Sequence, residues 1–154
     1  MNLFTKNKDF YTTTPELIIE MWHMIPENDR DKSNFFLDPS GGSGAIIEYL
    51  KKHYRQRTYH TIEKDPALIA MLRGKGITVI DYDFLTYSGP DKYDIIMANP
   101  PFSEGDKHLL KAIEIMYSGH IVFLINAETI RNPYSNTRQL LVKKLDELKA
   151  DIFF

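Results

Sequence analysis

Five short apolar runs, alternating with amphipathic stretches, constrain this chain more than any other feature of it. The runs are Asn34 to Asp38 (NFFLD), Thr58 to Glu63 (TYHTIE), Ile77 to Asp81 (ITVID), Tyr93 to Asn99 (YDIIMAN) and His120 to Asn126 (HIVFLIN). Each is rich in β-branched or aromatic residues and apolar on both faces, the pattern of strands buried in a parallel sheet. Helical patterns lie between them: SGAIIEYLKKHY, DPALIAMLRGKG, DKHLLKAIEIMYSG and NTRQLLVKKLDELKA, with TPELIIEMWHMI ahead of the first strand. Two of them end at glycine, a common helix stop. Strand–helix alternation predicts an α/β fold: an open, mostly parallel sheet with right-handed crossovers and helices on both faces. No repeat or linker divides the chain, so residues 1–154 are expected to form one domain. A sixth strand is expected to start at DIFF, with the sheet truncated there. Its apolar edge at Ile152, Phe153 and Phe154 would call for further chain or a partner chain.

Composition narrows the class. At 154 residues and 43% hydrophobic, the chain can bury a core without staples. It has no cysteine, so disulfides and thiolate metal sites are excluded. No apolar run approaches the roughly 18 residues of a membrane span, and the N-terminus lacks the apolar block of a signal peptide. These features lead us to expect a cytoplasmic protein without a membrane partner. Nineteen basic residues against 21 acidic ones leave a net charge of −2. A dedicated nucleic-acid-binding domain is usually basic, so any such role must rest on local chemistry.

The first strand runs into LDPSGGSGAII (Leu37 to Ile47). Gly41, Gly42 and Gly44 permit tight turning and let backbone amides approach a ligand. In an open α/β sheet such a loop lies at the carboxyl end of the strand, where ligands bind. No Lys-Ser/Thr follows the last glycine, so it is not a P-loop, and the Rossmann spacing does not fit either. Glu63 ends the second strand, nineteen residues after Gly44. An acid there can accept both hydroxyls of a ribose. A nucleoside cofactor without a phosphate cradle fits best, and S-adenosylmethionine is the candidate.

The fourth strand ends in Asn99-Pro100-Pro101-Phe102. Asn-Pro commonly starts a turn and Pro-Pro ends a strand without further purpose. In a sheet of order 3-2-1-4-5, however, Asn99 would face the glycine loop across the crevice. A nucleobase amine is a poor nucleophile because its lone pair is delocalised into the ring. Two acceptors, the Asn99 side-chain oxygen and the Pro100 carbonyl, can bind its two N–H groups and stabilise the charge growing on nitrogen. The prolines fix φ and preorganise those acceptors. Phe102 can stack on a base turned out of its helix.

LDPSGGSG, IEKDP, DYDFL and NPPF, in this order and spacing, resemble the S-adenosylmethionine-dependent N6-adenine (amino-group) DNA methyltransferases. FYTTTPELIIEMW is similar to the motif that precedes the glycine loop in the gamma-type order. The resemblance implies the class I methyltransferase (Rossmann-like) fold and transfer of methyl to adenine N6 in DNA. It implies that Asp38, Ser40, Gly42 and Gly44 form the cofactor loop and that Glu63 binds the ribose. Asp83 and Phe84 match the pair that holds the cofactor adenine, although Asp81 could be the relevant acid and Phe84 could be core. Tyr11 and Thr14 match positions near the methionine carboxylate, with the register left open by TTT. Asn99, Pro100, Pro101 and Phe102 match the catalytic motif. The family's separate target-recognition region has no counterpart here, so a specificity subunit or a further C-terminal region is an expected partner. Enzymes that methylate RNA bases or a protein glutamine share the motif, and a truncated, non-catalytic cofactor-binding module is a further alternative.

Other features are blander. KKHYRQR (Lys51 to Arg57) follows a helix that starts at the catalytic edge, so it is expected to be a solvated face at the opposite edge. Arg131 and Arg138 follow the fifth strand and could meet phosphates or simply water. The five histidines show no metal spacing; His108 is expected to cap or coat a helix, and Trp22 and Met24 to pack in the first helix.

Overall fold

The computed structural model describes residues 11–154, so Phe10, which opens the FYTTTP motif, lies outside the described residues. Five strands form one sheet: β1 (Phe35–Asp38), β2 (Thr58–Ile62), β3 (Thr78–Asp81), β4 (Ile95–Ala98) and β5 (His120–Phe123). Their order is β3-β2-β1-β4-β5, and every pairing is parallel. Each strand is as expected from its apolar run, shortened by one to three residues. The chain winds outward from β1 to β3 on one side, then returns to lay β4 and β5 on the other. That reversal opens a crevice between the carboxyl ends of β1 and β4.

Successive strand residues point to opposite faces, which explains why the runs are apolar throughout. Phe36, Ile95 and Met97 enter a core with Ile18, Met21 and Trp22 of α1 (Pro15–His23) and with Ile46, Ile47 and Leu50 of α3 (Ala45–His53). Leu37, Ile62 and Ile96 enter the other core with Phe84, Tyr87, Tyr93 and Ala112. Ala112 belongs to α5 (Gly105–Ile115), whose Leu109 packs with Leu141 and Leu145 of α7 (Asn136–Glu147). Trp22 is buried, and its Nε1 donates to the Tyr54 hydroxyl at 2.9 Å. Met24 is not packed as expected: it lies just past the last turn of α1, where the helix face no longer meets α3, and it is 48% exposed.

Helix starts follow local chemistry. Thr14 and Asp65 accept hydrogen bonds from backbone amides at the starts of α1 and α4 (Pro66–Gly74), each followed by Pro at the first helical position. Ser135 caps α7 in the same way. Two short helices, α2 (Glu27–Lys32) and α6 (Glu128–Arg131), were not legible because neither carries an apolar repeat. Arg57 donates to the Arg30 and Asp31 carbonyls at 2.7 and 3.3 Å and lies on the Tyr54 ring, so this part of KKHYRQR closes the end of α2. Among the described residues, the expected sixth strand at DIFF is not seen. Asp151 to Phe154 are exposed, and they make no backbone pairing with the described residues. After α7 the segment runs to Arg131, whose guanidinium lies 4.2 Å from the Phe154 ring.

Gly44 heads α3 with φ +86°, and a Cβ there would sit 2.7 Å from Ile77 Cδ1 and 2.9 Å from Leu72 Cδ2. Both the left-handed backbone and the lack of space demand glycine. Gly44→Ala is expected to lower stability by about 1–3 kcal/mol, read from urea unfolding midpoints.

Candidate functional site

An open cleft lies over the crevice between β1 and β4. Its walls come from the loop after β1, the segment after β2, the end of β4 and the N-terminal residues Tyr11 to Thr13. Asp38, Ser40, Gly42, Glu63, Asn99, Pro101 and Tyr11 all line it, so most of the expected residues converge although nearly ninety positions separate them in sequence. Asp65 and Leu68 line it as well. The IEKDP run could have pointed to Asp65, since a helix cap two residues past Glu63 must sit at the same strand end.

The glycine loop is held by backbone bonds. Gly41 N donates to the Ile62 carbonyl at 2.9 Å, and Gly44 N to the Gly41 carbonyl at 2.8 Å. Gly41 allows the loop to lie directly on Thr61, whose hydroxyl donates to the Asp38 carbonyl at 2.8 Å. Gly42 has φ +54° and turns its amide to Glu63 Oε2 at 2.7 Å. Glu63 Oε1 accepts from Lys64 N and Asp65 N at 2.8 and 2.9 Å. Three of roughly four acceptor positions on this carboxylate are therefore in use, leaving room for another donor.

Asp38 is buried, and its Oδ1 accepts from Ser40 N at 3.0 Å. Burial pushes its carboxyl up to about 7; the Ser40 bond works against this and the Glu63 carboxylate adds to it. Ser40 Oγ is buried without a hydrogen-bond partner among the described residues. A buried hydroxyl left unpaired beside an open cleft is what a polar ligand atom would satisfy.

Asn99 closes the opposite wall. Its Nδ2 donates to the Tyr11 carbonyl at 3.0 Å and to Thr13 Oγ1 at 3.2 Å. Its Oδ1 and the Pro100 carbonyl accept no hydrogen bond from the described residues. Pro101 has φ −53°, and its carbonyl accepts from Glu104 N at 3.0 Å, fixing the turn into α5. Pro100 is buried behind the cleft wall. Phe102 already carries a stacked ring: Tyr11 lies 4.8 Å from it at 23°.

Several of the singled-out residues have other partners in the fold. Thr14 does not line the cleft; its Oγ1 accepts from Leu17 N as the cap of α1, and Thr12 and Thr13 line the cleft in its place. The three-threonine run hides this, because only the helix start sets the register. Phe84 is 2% exposed and packs in the second core, so it is a core residue. Asp83 turns away too: Oδ1 accepts from Leu85 N at 3.0 Å and Oδ2 pairs with Lys64 Nζ at 3.4 Å. Gly44 lines packing space, not the cleft. His108 is not a surface cap but is buried against Phe84, where burial lowers its affinity for a proton. The guanidinium of Arg138 lies over Tyr134, 4.6 Å from its ring.

No family model matches the chain. A stretch of 67 residues is 33% identical to the type II methyltransferase M.CvrRI of Paramecium bursaria Chlorella virus XZ-6E. That stretch is 43% of this chain and 18% of the viral protein. Among solved structures, the plantazolicin methyltransferase BpumL in complex with a pentazolic desmethylPZN analog and SAH matches with TM-score 0.60 and 15% identity, over 88% of this chain and 62% of that one. SAM-bound CalS10, an amino pentose methyltransferase from Micromonospora echinaspora, matches with TM-score 0.57 and 17% identity, over 70% of this chain and 49% of that one. The aligned region thus spans about half to two thirds of these solved structures. The likenesses show the fold, the class I methyltransferase (Rossmann-like) arrangement expected from the sequence.

The raised Asp38 carboxyl has a consequence for stability. An acid that keeps its proton to about pH 7 in the fold, against 3.8 otherwise, binds more protons folded than unfolded between those values. Stability contributed by this group therefore falls as pH rises from about 4 to about 7. Asp38→Asn, which keeps the acceptor for Ser40 N, is expected to flatten that decline in urea titrations across this range.

Proposed function

We propose that this chain is the catalytic core of an S-adenosylmethionine-dependent methyltransferase acting on the N6 amine of adenine in DNA. The observation that carries the reading is Asn99 on the cleft wall opposite the glycine loop, where its Oδ1, like the carbonyl of the next residue, Pro100, accepts no hydrogen bond from the described residues. The partial identity to a type II methyltransferase supports the same reading.

The cleft fits the cofactor. Ser40 Oγ, buried at the cleft without a hydrogen-bond partner among the described residues, offers a polar contact. Glu63 would take the ribose hydroxyls through its remaining acceptor capacity, and the loop around Gly42 would lie against the nucleoside. A ligand ammonium near Asp38 would draw that carboxyl back toward its ionised form. When bound, S-adenosylmethionine supplies an electrophilic methyl group.

The chain's own part is to hold the amine. Asn99 Oδ1 and the Pro100 carbonyl would each accept one N–H, draw the nitrogen toward a tetrahedral shape and stabilise the positive charge on it. The Pro-Pro backbone keeps this pair in place without reorganisation. Phe102 would offer a ring face to the extruded base.

The test is transfer of labelled methyl from S-adenosylmethionine to unmethylated DNA, with ribosomal RNA and a release factor in parallel. Label is expected as N6-methyladenine in DNA. Asn99→Ala should lose transfer by about 10² or more while cofactor affinity, measured by calorimetry, stays within about twofold. Label in RNA or protein instead, or undiminished turnover in Asn99→Ala, would overturn the reading.

A further inference from the structure

We propose that Thr13 is a positioning residue: with the Tyr11 carbonyl, it holds the Asn99 amide so that Oδ1, and not Nδ2, is available to the substrate amine. This rests on the reading of Asn99 given above. An asparagine amide has two ends of nearly equal shape and opposite hydrogen-bonding character. Presented the wrong way round, it would set N–H against N–H and repel the amine it should hold.

The surroundings of Asn99 decide the matter. The Tyr11 carbonyl can only accept, and it lies 3.0 Å from the amide nitrogen. A reversed amide would bring two oxygens together there. With the polarity set by that carbonyl, Thr13 Oγ1, at 3.2 Å, accepts the second N–H and fixes the plane of the amide. Thr13 is 8% exposed, so water cannot readily replace its hydroxyl. The same short segment is fastened at the far end of the motif by the Tyr11 ring on Phe102. Tyr11 to Thr13 therefore grip Asn99-Pro-Pro-Phe102 at both ends, while also walling the cofactor cleft.

A Thr13→Val change keeps shape and removes the acceptor; Thr13→Ser restores it. The first readout needs no turnover. Exchange of the Asn99 Nδ2 protons is followed by NMR on 15N-labelled chain, with the Asn99→Ala spectrum identifying the resonances. Thr13→Val is expected to speed that exchange at least tenfold, and Thr13→Ser to return it near the wild-type rate. In the transfer assay, Thr13→Val should lower kcat by roughly ten- to a hundredfold with KM for the cofactor nearly unchanged, and Thr13→Ser should recover most of the loss. Unchanged exchange in Thr13→Val would overturn the proposal. So would an unaltered kcat, or a serine variant as impaired as valine with cofactor affinity lost in parallel. If the wild-type chain methylates none of the three acceptors, the proposed function falls, and the exchange measurement still decides whether Thr13 orients the amide.

Discussion

The site depends first on the pairing of β1 with β4. These strands are neighbours in space and far apart in sequence, and their register sets Phe36 opposite Ile95 and Leu37 opposite Ile96. Asp94 helps to hold the start of that register, since its Oδ2 accepts from Asn34 N and Phe35 N at 2.8 and 3.0 Å. With this pairing set, Asp38 and Asn99 emerge at adjacent strand ends on the same edge. A slip by one residue would turn every side chain of one strand to the opposite face. It would bury Asn99 or expel Asp38, so the core packing of Phe36, Leu37, Ile95 and Ile96 also aligns the two halves of the cleft.

Within the cleft the backbone does most of the organising. Glu63 binds three amides from the two loops beside it, and so joins the loop after β1 to the loop after β2. Asp38 serves more as a buried brace than as an exposed charge. Its carboxyl supports Ser40 N, its backbone carbonyl receives Thr61, and burial keeps it partly protonated near neutrality. Glycines at 41 and 44 serve packing, one against Thr61 and one against Leu72 and Ile77, while the amide of Gly42 faces Glu63. A loop that looks like a ligand cradle in sequence thus divides its glycines between shape and contact.

The opposite wall joins the first described residues to the end of β4. Tyr11 to Thr13 precede the first helix, yet they reach across to the end of β4. This connection makes the Asn-Pro-Pro-Phe motif part of a larger arrangement in which the N-terminal segment, the glycine loop and Asn99 line one cleft.

The sequence by itself determined the α/β class, the five strands, most helices and the identity of the loops that meet at the cleft. It could do so because hydrophobic period and turn chemistry are local. It could also single out NPPF, since no simple turn requires that combination. What only the tertiary structure decided is where individual side chains point. Phe84 and His108 are buried together, Asp83 bonds to its own turn, and Thr13 rather than Thr14 meets Asn99. These outcomes depend on which face of a short turn meets the core and on where a helix starts, and neither leaves a periodic signal. The polarity of the Asn99 amide belongs to the same class. A side chain with two nearly identical ends is oriented only by partners brought to it from more than eighty residues away.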